Sequence, residues 1–293
     1  MRKFSSILKA TALEILSEPL SLLLLLAALA MTVLAPAFHY HQFGEATRMA
    51  RDAGFSALFT CGSALAVFGT IRAFRREVES GTLEMALAHP VSHGGFFLAK
   101  TAGAAVAYLV FALVVFGTHL AIVWGAAAGG YLAQQTGDVA SVYGPALAAG
   151  VAVILLPLVV AAALNRFARF RFVLTAFALA LLLALLFGGA AFAFAPRLLL
   201  PYPPVAFLVA LPAMILLSAA AAFAVRFKSN AAASAVGLVF AAMIPVVGNY
   251  YLSDALSKGG SVSLFYVAGA TAAAAPAILA FLLLGATFLK TRA

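Results

Sequence analysis

Six charged side chains lie together in one short polar stretch of an otherwise apolar chain, and they are of a kind suited to contact with another protein. Three arginines and three glutamates occur within the thirteen residues from Arg72 to Glu84, although charged residues make up only 9% of the protein. The chain contains no Gly-x-x-x-x-Gly-Lys-Ser/Thr, no His-Glu-x-x-His and no Gly-x-Ser-x-Gly sequence. We therefore predict a docking surface for a soluble partner, and any nucleotide that supplies energy must be bound by another chain.

The polar stretch belongs to a connector with its own predicted local structure. A helix is expected to continue through Arg76 and to end at 80–82, because glycine and hydroxyl residues favour a turn. Thr82 can cap a short helix over Leu83–Ala88, which Pro90 would end. A second turn is expected at 92–95. The residues alone leave two interpretations: a short helix between flexible joints that relays a push from a partner, or a solvated loop whose charges only set topology.

The composition requires lipid as the solvent for most of the chain. Of its 293 residues 65% are hydrophobic, and the mean hydropathy is +1.11, more apolar surface than a soluble domain can bury. The net charge is +9, but the charges cluster between apolar segments, as in membrane loops rather than nucleic-acid-binding surfaces. The single cysteine, Cys61, excludes an intramolecular disulfide and is expected to pack in the core.

Eight apolar segments predict an all-α polytopic integral membrane protein. The shortest have eighteen residues, which as a helix measure about 27 Å and just cross a hydrocarbon core. A six-span alternative would place Arg226 at the tip of a buried hairpin, which is costly. The segments are Leu20–Phe38, Gly54–Ile71, Thr101–Trp124, Gly144–Leu164, Phe172–Ala195, Val205–Val225, Ala231–Gly248 and Leu264–Leu289.

The division of the chain follows from these segments. Met1–Ser17 has apolar residues at helical spacing on one face, which predicts an amphipathic helix lying in the membrane interface. Pro19 ends that helix and begins the first span. We therefore expect an interfacial unit over 1–19 and a transmembrane domain over 20–293, with a cytoplasmic coupling segment at 72–100.

Positive charge predicts the orientation. With the amino terminus inside, fourteen Lys and Arg residues fall on the cytoplasmic side and four on the other. Both termini are then cytoplasmic. The outer four are Arg48, Arg51, Arg197 and Lys258; the inner set is Arg2, Lys3, Lys9, Arg72, Arg75, Arg76, Lys100, Arg166, Arg169, Arg171, Arg226, Lys228, Lys290 and Arg292.

The predicted spans hold few groups that could do chemistry. None of the eight segments contains Asp, Glu, Lys or Arg. His119 is interpreted as a packed, hydrogen-bonded residue rather than a ligand, and His39 and His41 as interfacial residues rather than a metal site. We therefore predict no catalytic residue and no metal or cofactor site in this chain.

The residues from Glu77 to Gly103 resemble a family signature. Glu79-Ser80-Gly81-Thr82, a Leu-containing stretch, Pro90-Val91-Ser92, then Lys100 and Gly103 are similar to the motif of the ABC-2 type permeases. The closest similarity is to the branch named for multi-copper enzyme maturation and nitrous oxide reductase assembly. His93 stands where that family commonly has Arg, and eight spans exceed the usual six.

The resemblance implies a membrane-spanning permease subunit of an ABC transporter, an exporter in a bacterial plasma (inner) membrane. It implies a separate ATP-binding subunit, which would hold ATP and Mg, and a second permease copy or paralogue. The alternative is a non-transporting membrane scaffold or assembly factor. An apolar interior favours a lipid-like, amphipathic or peptide cargo. The residues expected to couple to the ATPase are Arg75, Arg76, Glu77, Glu79, Ser80, Gly81, Thr82, Glu84, Pro90, Val91 and Ser92.

Overall fold

The computed structural model describes residues 2–34, 46–79, 92–136, 139–227, 231–232, 235–237, 239 and 262–292. These residues contain no β-strand and form nine helices of four residues or more. The helices are α1 Arg2–Leu16, α2 Pro19–Leu34, α3 Ala46–Glu79, α4 His93–Thr136, α5 Val139–Ala168, α6 Phe172–Phe194, α7 Pro196–Leu199, α8 Tyr202–Arg226 and α9 Leu264–Arg292.

Six helical stretches are long and apolar enough to cross a membrane. They fall in α3, α4, α5, α6, α7 with α8, and α9, and so coincide with six of the eight predicted segments. The described part of the first segment is α2, a helix of 16 residues. Most of the seventh, Ala231–Gly248, lies outside the described residues. The all-helical, multi-span membrane fold is thus confirmed, and the total of eight spans stays a prediction.

The core lies where α3, α4 and α8 pack together. Each of these helices is buried over most of its spanning length, whereas α5, α6 and α9 are buried over less than a third of theirs. Fully buried side chains such as Leu58, Tyr108 and Phe111 fill the space between α3 and α4. Exposed apolar residues on α5, α6 and α9, among them Leu155 and Leu283, face outward as lipid-facing residues do.

The amino-terminal helix packs on small residues of two central helices. Helix α1 is inclined by 63° to α2, with the break just before Pro19. A Cβ on Gly103 of α4 would lie 2.6 Å from the backbone oxygen of Leu8, and a Cβ on Gly69 of α3 would lie 3.1 Å from the Ile15 side chain. Both glycines therefore permit α1 to approach the core closely. The Ser21 hydroxyl donates a hydrogen bond to the Ile15 carbonyl (2.6 Å), which fixes the corner between α1 and α2.

Two predicted boundaries of the connector are corrected. Helix α3 runs to Glu79, one turn beyond Arg76 and immediately before the predicted break at 80–82. The expected turn at 92–95 was wrong, because α4 already begins at His93. The Ser92 hydroxyl accepts a hydrogen bond from the Gly95 amide (3.1 Å), as an N-cap does, and this satisfies an otherwise unpaired helical donor despite the two glycines.

Helices α4 and α6 approach each other closely enough for their backbones to touch. A Cβ on Gly188 would lie 2.5 Å from the carbonyl oxygen of Gly117, and a Cβ on Gly117 would lie 2.6 Å from that of Ala184. In lipid, helices gain little from burying apolar side chains against each other, so such close approach is a main source of their packing energy. Gly189, the next residue, has no atom within 4 Å of where its Cβ would stand.

This contact predicts opposite effects for two adjacent glycines. Gly188→Ala should lower stability by about 1–3 kcal/mol, because the added methyl group forces α6 away from α4. Gly189→Ala should be neutral or stabilising by up to about 1 kcal/mol, since alanine favours helix and the site is open. Thermal unfolding of the purified protein in detergent compares the two. Equal melting temperatures for both variants would show that the close contact does not hold the helices together.

Candidate functional site

The described part of the coupling segment lies at one end of α3, where charged side chains from several elements meet. We call this group the root cluster. Three carboxylates face four cations in it, and one backbone carbonyl completes the set. Its members are Glu14 and Glu18 from α1 and the corner after it, Arg72, Arg75, Arg76 and Glu77 from α3, Lys100 from α4, and the carbonyl of Phe227 at the end of α8.

The innermost contact of the root cluster joins α3 to α4. Lys100 is 1% exposed, and its Nζ lies 2.6 Å from Oε1 of Glu77. The ammonium also lies over two aromatic rings, 5.5 Å from the centroid of Phe74 and 5.9 Å from that of Phe96. A buried lysine is tolerated when a carboxylate compensates its charge, and aromatic faces add cation–π attraction. The pair therefore fixes the two helices at the positions where the connector leaves and re-enters them.

Two outer contacts join α3 to the amino-terminal region. Nε of Arg72 lies 3.0 Å from Oε1 of Glu18, and Nη1 of Arg76 lies 3.4 Å from Oε1 of Glu14. Arg72 and Arg76 are four residues apart and so project from the same face of α3. Both arginine side chains are mostly exposed, so each pair contributes little stability, but together they define how α1 lies against α3.

Burial of the Glu18 carboxylate in the root cluster disfavours its ionised form. Loss of hydration raises the pKa of Glu18 above its ordinary value, and the charge of Arg72 opposes that rise. Oε2 of Glu18 has no hydrogen-bond partner among the described residues. Because the folded-state pKa is the higher one, burying the ionised carboxylate costs stability at neutral pH. That cost disappears as the pH falls through the folded-state pKa.

A fourth helix is held through its carboxyl end. Nη1 of Arg75 donates a hydrogen bond to the carbonyl oxygen of Phe227 (3.3 Å), the residue that follows α8. A cation is favourable there, because the last carbonyls of a helix carry partial negative charge. Through this contact and the three ion pairs, the end of α3 is joined to α1, α4 and α8.

The predicted coupling residues divide into two sets. Arg75, Arg76 and Glu77 lie in the root cluster, and Ser92 caps α4. Glu79 is the last residue of α3, and its side chain is outside the described part of the chain. The remaining predicted coupling residues, which lie outside the described residues, are Ser80, Gly81, Thr82, Glu84, Pro90 and Val91.

Comparison with known families agrees with this architecture. A family model described as ABC-2 family transporter protein matches residues 23–206, well over half of the chain. The chain belongs to the ABC-2 transporter family. It is therefore a membrane component of a transport system, as the resemblance in the connector predicted. No curated protein and no solved structure matches the chain.

Sequence reasoning missed the partners of the coupling residues. Lys100 and Gly103 were noted only as parts of a motif, whereas the structure pairs Lys100 with Glu77 and packs Gly103 against α1. The local pattern before the first span assigned no partner to Glu14 or to Glu18. Two acidic residues four apart, one in α1 and one in the corner after it, matched by two arginines four apart in α3, are the signal that could have suggested this contact. Within the described ranges, no three His, Cys, Asp or Glu side chains are placed to hold a metal ion.

The root cluster predicts unequal effects for its ion pairs. Glu77→Ala should lower stability by about 3 kcal/mol, because it leaves the ammonium of Lys100 buried without a counter-charge. Lys100→Met should cost less, since it removes the charge and keeps an unbranched side chain in the same space. Arg76→Ala is the matched control, and its exposed pair should be worth at most about 1 kcal/mol. Thermal unfolding in detergent ranks the three variants, and a larger loss for Arg76→Ala than for Glu77→Ala would contradict the assignment.

The contact at Gly103 predicts that α1 can be displaced selectively. Gly103→Ala places a methyl group against the Leu8 carbonyl, so α1 should move off α4. A cysteine at Thr11, which is 4% exposed, should then react with a soluble thiol reagent several-fold faster in a Cys61→Ala background. Gly94→Ala is the control, because nothing lies within 4 Å of its Cβ position. Unchanged labelling in the Gly103 variant would show that α1 does not depend on this contact.

Proposed function

We propose that the chain is the permease subunit of an ABC transporter, driven by a separate ATP-binding subunit that docks on the coupling segment 72–100. The observation that carries this proposal is the root cluster. The connector leaves α3 after Glu79 and rejoins the described chain at Ser92, just before α4. A push on the connector is thus delivered to an end of α3 that is already joined to three other helices.

The lengths of α3 and α4, the two helices that flank the connector, support a mechanical role for them. Helix α3 has 34 residues and α4 has 44, so they measure about 51 Å and 66 Å, against about 30 Å of hydrocarbon. Both helices therefore project beyond the membrane core. Within α3 the sequence contains no proline, the usual cause of a sharp kink. A displacement at the Arg76 end is consequently passed along the helix rather than absorbed in it.

The charges of the connector set the chemistry of the partner surface. Arg75, Arg76 and Glu77 are committed to contacts within the root cluster, at least in part, so they are proposed to position the segment. The exposed contact with the ATPase is assigned to Glu79, Glu84 and the Ser80-Gly81-Thr82 break, with Pro90 and Val91 ending the element. ATP and Mg²⁺ belong to the partner subunit. A second permease copy or paralogue would complete the membrane domain.

The proposed orientation in the membrane rests on the positive charges at the end of the molecule that carries the root cluster. The root cluster, the Arg166–Arg171 elbow and Lys290 carry most of the cationic side chains of the described helices, and positive-inside bias assigns this end to the cytoplasm. Cytoplasmic docking of an ATPase requires this orientation, with export as the proposed direction and a bacterial inner membrane as the location. The likeness to the multi-copper enzyme maturation and nitrous oxide reductase assembly branch rests on the connector motif alone.

Co-expression with an ATP-binding subunit encoded beside this chain tests the proposal. The two proteins should purify together, and ATP turnover should depend on the permease. Glu79→Lys and Gly81→Pro should each reduce permease-dependent turnover by about tenfold or more, because one reverses a docking charge and the other blocks the turn. Gly94→Ala, which changes the same connector region without a steric conflict, is the control and should retain full turnover.

Two results would overturn the proposal. Wild-type turnover in both variants would remove the connector from the coupling path. Labelling of a Ser92→Cys variant only from the external face would place the segment where no cytoplasmic ATPase could reach it. An ATPase that co-purifies without any change in turnover would instead favour the alternative, a membrane scaffold that holds the subunit without transporting.

A further inference from the structure

A second polar group lies at the end of α3 opposite the root cluster. Arg51 belongs to α3, and its side chain is 5% exposed. Its Nε lies 3.0 Å from Oδ1 of the neighbouring Asp52, which uses one edge of the guanidinium. Its Nη2 is buried and has no hydrogen-bond partner among the described residues. A buried cationic donor without an acceptor is unfavourable, so its presence in a membrane helix calls for a function.

His119 of α4 lies against Gly54 of α3, close enough to be influenced by the charge of Arg51, and aromatic rings surround it. Its ring centroid is 4.7 Å from that of Phe55 and 5.7 Å from that of Tyr202. Phe55 and Tyr202 also face each other at 6.0 Å. Since Arg51 and Phe55 are four residues apart in α3, they share the face that points at α4 and α8. The three helices of the core thus each contribute a polar or aromatic group to one corner.

His119 is packed as expected, but the prediction that it is hydrogen-bonded was wrong, because neither ring nitrogen has a partner among the described residues. Its Nδ1 edge lies directly against Gly54, where no larger residue would fit. Its Nε2 is buried without a hydrogen-bond partner in the described chain. An imidazole can donate at least one hydrogen bond in either protonation state, and arginine always donates. Arg51 Nη2 and His119 therefore form a pair of buried donor groups that lack an acceptor.

The charge and the surroundings of the corner define what could fill it. Within the described part of the chain, Arg48 and Arg51 both lie near the carboxylate of Asp52, and the Nε of Arg48 is 3.9 Å from it. Tyr202 belongs to a buried apolar cluster. The apolar members beside it include Ala50, Leu120, Leu199, Phe55 and Phe116.

We propose that Arg51, His119 and Tyr202 form a binding site for the anionic head group, a carboxylate or a phosphate, of an amphipathic molecule. Oxygen atoms of the head group would accept hydrogen bonds from Arg51 Nη2 and from His119. The apolar cluster around Tyr202 would contact the rest of the molecule. Because these polar atoms are buried in this conformation, the ligand enters when α3, α4 and α8 separate.

The identification of this molecule as the transported substrate rests on the proposed function, but its binding does not. Helix α3 carries the root cluster at one end and Arg51 at the other, so movement driven by an ATPase would open and close the site. Binding is measured on the permease alone, without the ATP-binding subunit. Loss of binding and loss of ATPase coupling are therefore separate results.

The test is a titration of the purified protein in nonionic detergent with dodecyl phosphate. Trp124, the only tryptophan of the chain, lies five residues beyond His119 in α4 and stacks on Phe194 at 5.8 Å, so its fluorescence reports on this end of the molecule. Ligand should also raise the melting temperature, as any ligand of the folded state does. Arg51→Gln should weaken binding by about tenfold or more, the effect of losing a charge-assisted hydrogen bond.

Matched variants distinguish binding at this site from an unspecific effect of positive charge. Arg48→Gln removes the same charge one turn away, at a side chain that is 42% exposed, and should change affinity less than about twofold. His119→Phe keeps the aromatic packing and removes the donor, so it should weaken binding even if Arg51→Gln fails to fold. Equal affinity in wild type, Arg51→Gln and His119→Phe would overturn the proposal. So would the absence of both a fluorescence and a melting response in the wild type.

Further ligands distinguish the contribution of the anionic head group from that of the alkyl chain of the ligand. Dodecanoate should compete with dodecyl phosphate, whereas dodecyltrimethylammonium, with the same chain and a positive charge, should not. Inorganic phosphate should compete only at much higher concentration, since it lacks the apolar part. Competition by inorganic phosphate at the concentration of dodecyl phosphate would overturn the assignment to an amphiphile, and competition by the cation would overturn the assignment to an anion.

Discussion

The arrangement of this membrane protein depends on the need to compensate a buried ammonium group. Lys100 is almost fully buried at the start of α4, and the nearest way to offset its charge is the carboxylate of Glu77 on α3. An isolated charge in this position would cost several kcal/mol, so the two helices cannot slide or rotate past each other without losing the pair. The connector 80–91 is thereby held at both of its roots, whatever conformation it takes itself.

In lipid, close backbone contact between helices supplies packing energy that the burial of apolar side chains cannot supply. Helix α4 carries glycines where α1 and α6 cross it, and the neighbouring backbones approach to van der Waals distance there. Gly103 shows why a glycine follows Lys100 by three residues. The lysine faces Glu77, and the glycine makes room for α1, whose acidic residues then reach the arginines of α3. Charge and shape therefore specify the same arrangement of helices.

The sequence predicted the membrane class, most of the spans and the family, because each rests on patterns that are local along the chain. Long apolar segments identify the helices that cross the membrane, and the Glu79–Ser92 motif identifies the connector. The sequence could not predict the ion pairs, since the partners are brought together only by tertiary packing. Arg51 shows the limit clearly: it was assigned to an external loop, but α3 begins before it, and the side chain is buried between helices. An eighteen-residue segment marks the hydrocarbon core and not the ends of the helix.

Helix α3 joins the two polar groups of the molecule, and this has a thermodynamic consequence. The root cluster and the Arg51 corner lie about six to seven turns apart on one continuous helix, as the spacing of 24 residues between Arg51 and Arg75 implies. If tilting α3 changes the affinity of the corner for an anion, an anion bound there must bias the tilt of α3 to the same degree. Ligand at one end would then alter the position of the connector at the other. The coupling needs no chain of contacts through the core, because the helix itself is the shared element.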